Sequence, residues 1–298
     1  GKYKFLDQSA NKLALVEPSN FNFNTETFDT NVFQNDVQFN KLKIFEEFDN
    51  FISTLNKNKI SFNILKSPKN SPDSIYPNNW VVTFEDGTYD LFSMQSPNRR
   101  LERSKSNINF LNTNYSLKND LTEYEAKNIF LEGTGSLVLD RVNKTAYMAE
   151  SNRSNVSLAS KWSELRGYNL VHFKSYIDKK PTYHTNVLMF ITNEFAGICF
   201  DSISDSKYLL SNIEKIKKPS LENKNLARKI LFFYEKGLHT KYKLDYELLK
   251  KDKFAHQIFE KTILSKKNKS LNLDYLLDTK IINYPNKGVF FSYVKKIS

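Results

Sequence analysis

The sequence is short of cysteine. Among 298 residues there is one, Cys199, which excludes an internal disulfide framework and any metal site built from clustered thiolates. It lies in "FAGICF", an apolar, strand-like run where a thiol serves as a small buried hydrophobe rather than as a nucleophile. Long apolar runs are lacking too. None approaches the roughly 18 residues that a membrane span requires, and the opening "GKYKFLDQSANK" has no secretory apolar stretch. No membrane partner and a cytoplasmic location are therefore expected. No Pro-, Gly- or Ser-rich linker divides the chain, so one α/β domain over residues 1–298 is expected.

What is present is a core-forming composition, 40% hydrophobic and 14% aromatic, in a chain long enough to bury a large interior. The net charge of +11 is uneven: residues 211–270 hold 16 Lys or Arg against 7 Asp or Glu. Such a region could meet nucleic acid or a protein partner. Its lysines, however, are scattered through helix-like stretches such as "LENKNLARKILFFYEKG" and are not interleaved with exposed aromatics. A solvated basic face is the favoured reading over nucleic-acid binding.

Strand and helix patterns alternate along the chain. "KLKIFEEFDNFISTLNK" places Phe45, Phe48, Ile52 and Leu55 at helical spacing, and "ISFNILK" follows as a strand. "WVVTFEDGTYDLFSM" reads as a hairpin turned at Asp86-Gly87, and "GSLVLDRVNKTAYMA" as a second. A helix in "NVSLASKWSELRGY" turns Trp162 and Leu165 to one side. "NLVHFKS", "HTNVLMFI" and "EFAGICF" add strands, and two basic helices are expected between about 221 and 262. No repeat is visible in the residues themselves.

Three polar clusters fall at strand ends: "YPNNW", "FLEGTGSLVLD" and "YHTNV". Adjacent carboxamides at Asn78 and Asn79 suit a turn that launches a strand, Glu132 could open a tight turn, and a lone His184 is more often structural than catalytic. Their joint occurrence with "SPNRRLERS" and "AESNRSN" is what packing alone does not explain.

With these motifs the chain resembles the guanidino-group-modifying hydrolases of the arginine deiminase and amidinotransferase superfamily, and within it most closely the citrulline-utilisation hydrolase branch, CtlX. The matching pieces run in order: "EPSNFNFNTETFDTNVFQ" (Phe21, Asn24, Thr27, Asn31, Phe33, Gln34), "PNNWVVTFEDGTYDLFSMQSPNRRLER", "LEGTGSLVLDR", "AYMAESNRS" and "YHTNVLMF". The resemblance covers roughly the first two-thirds of the chain. It implies a pentein α/β-propeller, five ββαβ units around a pseudo-fivefold axis, with a divergent carboxyl-terminal unit from about residue 221.

In the superfamily's deiminases two aspartates clamp a guanidinium, a Glu orients a catalytic His, and a Cys near the carboxyl end attacks the central carbon. By this resemblance Asn79 and Asn186, with Asn78, stand where the clamping carboxylates would be. A guanidinium carries donors only, whereas the ureido group of citrulline is neutral and adds an acceptor oxygen. Two unpaired buried carboxylates around a neutral group would cost several kcal/mol by rough estimate. Glu132 takes the orienting role and His184 that of proton transfer. Arg99 and Arg103 are candidates for gripping an α-carboxylate, with surface ion pairs to Glu102 or Glu85 as the alternative. Arg153 is expected to be structural. No cofactor or metal is implied.

The carboxyl end departs from the family pattern. "NKGVFFSYVKKIS" puts Ser292 at the place of the nucleophilic Cys and keeps only Gly288 of the glycines, and "FAHQIF" around His256 and Gln257 replaces another family element. A thiol with a pKa of about 8.5 is readily ionised beside an imidazolium, whereas a hydroxyl needs a base during attack. The expectation is a catalytically impaired member that binds a small ureido or guanidino amino acid, with an active C–N hydrolase using Ser292 or water as the alternative. A protein partner through 211–270 is a further candidate.

Overall fold

The computed structural model describes residues 8–10, 12–29, 40–177, 179–192, 196–199, 202–205, 208–209 and 281–283. They belong to two units, one up to Val187 and one from Leu188. Ser292, the basic region 211–270 and residues Asn31, Phe33, Gln34, His256, Gln257 and Gly288 lie outside the described residues.

The first unit opens with β1 (Lys12–Val16), α1 (Lys41–Lys57) and β2 (Ser61–Leu65), the strands pairing in parallel from Lys12 opposite Ser61 to Val16 opposite Leu65. Asn40 starts α1 by accepting from the amides of Leu42 and Lys43, two of the donors that a helix start leaves without partners. The inner stripe of α1 is Ile44, Phe48, Ile52 and Leu55. Phe45, which the spacing assigned to that stripe, is 40% exposed, because the stripe runs one position to its side.

A 3-10 turn at Pro77–Asn79 leads into β3 (Val81–Thr83) and β4 (Thr88–Leu91). The two strands are antiparallel, and the turn between them needs Gly87 at φ +76°. α2 (Pro97–Arg100) and α3 (Lys105–Asn114) then cross to β5 (Ser116–Asp120), parallel to β4. The same sequence of pairings follows at once. A single helical turn, α4 (Gly133–Ser136), precedes the antiparallel β6 (Val138–Asp140) and β7 (Thr145–Ala149), and α5 (Val156–Arg166) returns to β8 (Asn169–Phe173), parallel to β7. A short hairpin of β9 (Tyr176–Ile177) and β10 (Lys180–Pro181) comes next, and a 3-10 turn at Thr185–Val187 ends the unit.

In the second unit β11 (Met189–Ile191) is antiparallel to β12 (Ala196–Ile198), which is parallel to β13 (Ile281–Asn283). Antiparallel then parallel is the pairing of a ββαβ repeat, and it is carried by topology, not by repeated residues. Cys199 is buried just after β12, its Sγ 3.5 Å from Ser202 Oγ.

Trp162, fully buried on α5, anchors the main apolar cluster. Its ring lies 5.3 Å from Tyr168, 6.0 Å from Phe92 and 6.4 Å from Phe84, within a shell that includes Leu131, Leu137, Met148 and Leu158. The inner face of α5 holds Leu158, Ala159 and Trp162, with Arg166 below. Leu165, expected beside Trp162, is 49% exposed, because Arg166 takes the inward position and Leu165 falls on the margin.

Arg166 is drawn in by Asp90 on β4, which is fully buried and receives Arg166 Nε at 2.6 Å, Arg166 Nη2 at 2.5 Å, Trp162 Nε1 at 2.9 Å and the Asn119 side chain at 2.9 Å. A buried charge of this kind is tolerable only when its lone pairs are so fully met. It ties the sheet of one repeat to the helix of the next.

Candidate active site

The three polar clusters singled out in the sequence are the three short turns that lead β3, β6 and β11. In the first unit α4 packs against both of the others. Close approach depends on two glycines. Gly133 has φ +44°, and a Cβ there would run into the Asn78 and Asn79 backbone carbonyls. At Gly135 the point that a Cβ would occupy lies within 2.8 Å of Asn79 Nδ2, His184 Cε1 and His184 Nδ1. One position therefore brings together a carboxamide from the first turn and an imidazole from the third. Thr134 Oγ1 donates to the Asn78 carbonyl at 3.3 Å, so Asn78 contributes its backbone to this packing.

Glu132, fully buried, accepts from His184 Nε2 at 2.6 Å and from the Gln95 amide at 3.0 Å, and Arg153 Nη1 is 3.6 Å from its Oε2. Burial alone would push its carboxyl up. The His184 hydrogen bond and the Arg153 and Arg99 charges outweigh that and hold it at about 2. His184, 5% exposed, is shifted below its ordinary value, chiefly by burial, against the pull of Glu132. It is thus a neutral imidazole that donates through Nε2 and leaves Nδ1, on the Gly135 side, with a lone pair.

The loop under Glu132 is braced from behind. Arg100 donates to the Met94 and Gln95 carbonyls at 2.9 and 3.1 Å, and Arg103 reaches the Glu125 carboxylate at 2.8 Å, which in turn accepts the Met94 amide at 2.9 Å. Arg103 is thereby paired away from the Asn79–His184 group. Arg99 is 3% exposed and bonded through every guanidinium nitrogen: Nε and Nη2 to the Glu102 carboxylate at 2.8 and 3.1 Å, Nη1 to Asn79 Oδ1 at 2.6 Å, and Nη2 also to the Tyr76 carbonyl at 3.1 Å. The ion pair with Glu102 is present, but in the interior and not on the surface. Glu102, 1% exposed, has its carboxyl pushed up by burial, with Arg99 opposing.

Asn186 sits two residues beyond His184 in the same turn, and its Oδ1 is buried with no hydrogen-bond partner among the described residues. Sequence reasoning overlooked three contributors: Gly135 as the contact point, Gln95 as a donor to Glu132, and Asp73, whose carboxylate accepts from Asn24 at 2.7 Å and Thr27 at 3.3 Å. Asn24 and Thr27 are both buried polar residues within the first motif, which was a usable signal for the Asp73 contact.

The family model for N,N dimethylarginine dimethylhydrolase, eukaryotic, matches residues 17–230, more than two-thirds of the chain. The chain belongs to that family. As a dimethylarginine dimethylhydrolase family member it falls within the guanidino-group-modifying superfamily that its motifs resemble, and its fold is of the pentein α/β type. The match does not single out the citrulline-utilisation branch.

Among solved structures, the dimethylarginine dimethylhydrolase-family chain is similar to the product-bound N-terminal domain of ArgZ, an arginine dihydrolase from the ornithine-ammonia cycle in cyanobacteria. Identity is 13%, over 67% of this chain and 70% of that one, with a TM-score of 0.55. It is likewise similar to AgrE in its ternary complex with ornithine and NAD+, at 14% identity over 72% of this chain and 30% of AgrE, TM-score 0.55. At such identities the likeness is one of fold. No curated protein matches the chain.

Proposed function

We propose that the protein binds a neutral ureido amino acid such as citrulline, at a site that keeps its family's acid–base pair but not its attacking thiolate. One observation carries the reading: the fully buried charges around Asn79 and His184 pair one to one. Glu132 faces Arg153 and Glu102 faces Arg99, two carboxylates against two guanidiniums, with His184 neutral, and the half-buried Asp73 adds its charge near Arg99 outside these pairs. A guanidinium ligand would find no unpaired carboxylate among these fully buried groups, at a cost of several kcal/mol by rough estimate, whereas a ureido group needs none. The carboxamides of Asn79 and Asn186 supply a donor and an acceptor. The product-bound N-terminal domain of ArgZ, a chain of similar fold, supports a small amino acid as the ligand class. Composition supports the impaired reading: Cys199 is the one cysteine of the sequence, and it lies buried just after β12.

Thermal-shift and calorimetric titration with citrulline, arginine and ornithine test the proposal. Citrulline raises the melting temperature in proportion to the logarithm of its concentration above Kd; a flat response to all three ends it.

A second reading, an active C–N hydrolase, is favoured by the 2.6 Å contact between Glu132 and His184. A neutral imidazole can take a proton from water or from the Ser292 hydroxyl as either attacks the ureido carbon. Ammonia release from citrulline by the purified protein decides for it, and release that persists in Ser292→Ala leaves water as the nucleophile.

A further inference from the structure

We propose that Arg99, held by Glu102, is a positioning residue that sets ligand selectivity by fixing which end of the Asn79 carboxamide faces the site. An asparagine side chain has an acceptor end and a donor end of nearly equal shape, so its orientation is dictated by its neighbours. Arginine has donors only. With Nη1 2.6 Å from the Asn79 side chain, Arg99 requires the oxygen on its own side. The amide nitrogen is left facing the point beside Gly135 and His184 Nδ1.

Arg99 cannot turn away to release this constraint. Glu102 grips it bidentately at 2.8 and 3.1 Å, the Tyr76 and Asp73 carbonyls accept its Nη2 at 3.1 and 3.4 Å, and both Arg99 and Glu102 are almost wholly buried. Asn79 therefore behaves as a fixed pair of N–H donors. It can hold a carbonyl oxygen but cannot accept from a guanidinium, which offers N–H groups in every direction. We take the Oδ1 of Asn186, buried without a hydrogen-bond partner among the described residues, as the complementary acceptor. The pair of side chains thus matches the two ends of a ureido group, one oxygen and one NH2.

The selectivity half of this inference rests on the proposed ligand class; the orientation half does not. Two measurements separate them. In the wild-type protein, through-space NMR contacts should link the Asn79 δ-amide protons to Gly135 Hα and His184 Hε1, the amide being identified by the loss of its signals in Asn79→Asp. Their absence overturns the inference whatever the ligand. Their presence in a protein that binds neither citrulline nor arginine supports the orientation while ending the ureido reading.

The second measurement is calorimetry with L-citrulline and L-arginine. The wild type should favour citrulline by about tenfold or more. Arg99→Gln combined with Glu102→Gln, which frees the amide to turn and leaves no unpaired carboxylate, should bring the two within about threefold. Arg99→Lys retains a donor-only side chain and should keep the preference at reduced overall affinity. A preference unchanged in the double variant, or lost equally in Arg99→Lys, refutes the selectivity claim.

Discussion

Replacing Gly135 by alanine puts the site's geometry to its sharpest test. The added methyl would stand 2.8 Å from His184 Nδ1 and Cε1 and nearer still to Asn79 Nδ2. Neither neighbour can yield freely: His184 is tied to Glu132 at 2.6 Å, and Asn79 to Arg99 at 2.6 Å. Gly135 does not have a positive φ, so backbone strain adds nothing and the cost is local overpacking.

Overpacking of this size costs about 1–3 kcal/mol, or a fall in melting temperature of roughly 3–10 °C. Citrulline binding should weaken at least about tenfold, since 1.4 kcal/mol lost from the pocket already suffices. Gly87→Ala is the matched control. Its φ of +76° strains the backbone by about 1 kcal/mol, yet nothing lies within 4 Å of the new methyl, so binding should be untouched. Thermal denaturation and calorimetry on the three proteins read out the difference. A Gly135→Ala protein as stable as the wild type, with unaltered citrulline affinity, would refute the convergence of Asn79 and His184 on that residue.

Asp90→Ala leaves the buried Arg166 with only the half-exposed Asp86 at 3.4 Å as counter-charge and should cost about 3 kcal/mol in chemical denaturation; a loss below about 1 kcal/mol would show that the pair does not hold the two repeats together. Stability should also fall with acid. Glu132 and His184 are both depressed in the folded state, so the unfolded chain binds protons first. His184 contributes loss as pH drops below 6.5, and Glu132 between 4.5 and about 2, worth about 3 kcal/mol in all for Glu132. Glu102, pushed up, works in the opposite sense in both proteins, so a wild type that loses no more stability from pH 4.5 to 3 than Glu132→Gln does would contradict the assignment.

The hairpin at Asp86-Gly87 and the turn at Pro77–Asn79 were legible because each rests on local chemistry that few residues can perform. Helix faces were less so. Phe45 and Leu165 satisfy apolar spacing, but the buried side of α5 is decided by Arg166 reaching Asp90, a contact 76 residues away that no periodicity contains. Glu132 and His184 were readable from their clusters, since strand-leading turns collect polar groups that packing does not require. The burial of Arg99 was not readable. Its sequence neighbours, "SPNRRLERS", look like surface, and only the fold reveals that Tyr76, Asn79 and Glu102 close around it. The ββαβ repeat escaped for a related reason: hydrogen-bond direction between strands leaves no mark in residue identity.

The amide, the carboxylate and the imidazole each arrive on a different turn, and each turn leads the first strand of a different antiparallel pair, one module to each. Drift in one module can displace one group while the other two keep their places. Such a scaffold can lose turnover stepwise and still recognise its ligand, which makes recognition without conversion an accessible evolutionary halfway house rather than a wreck.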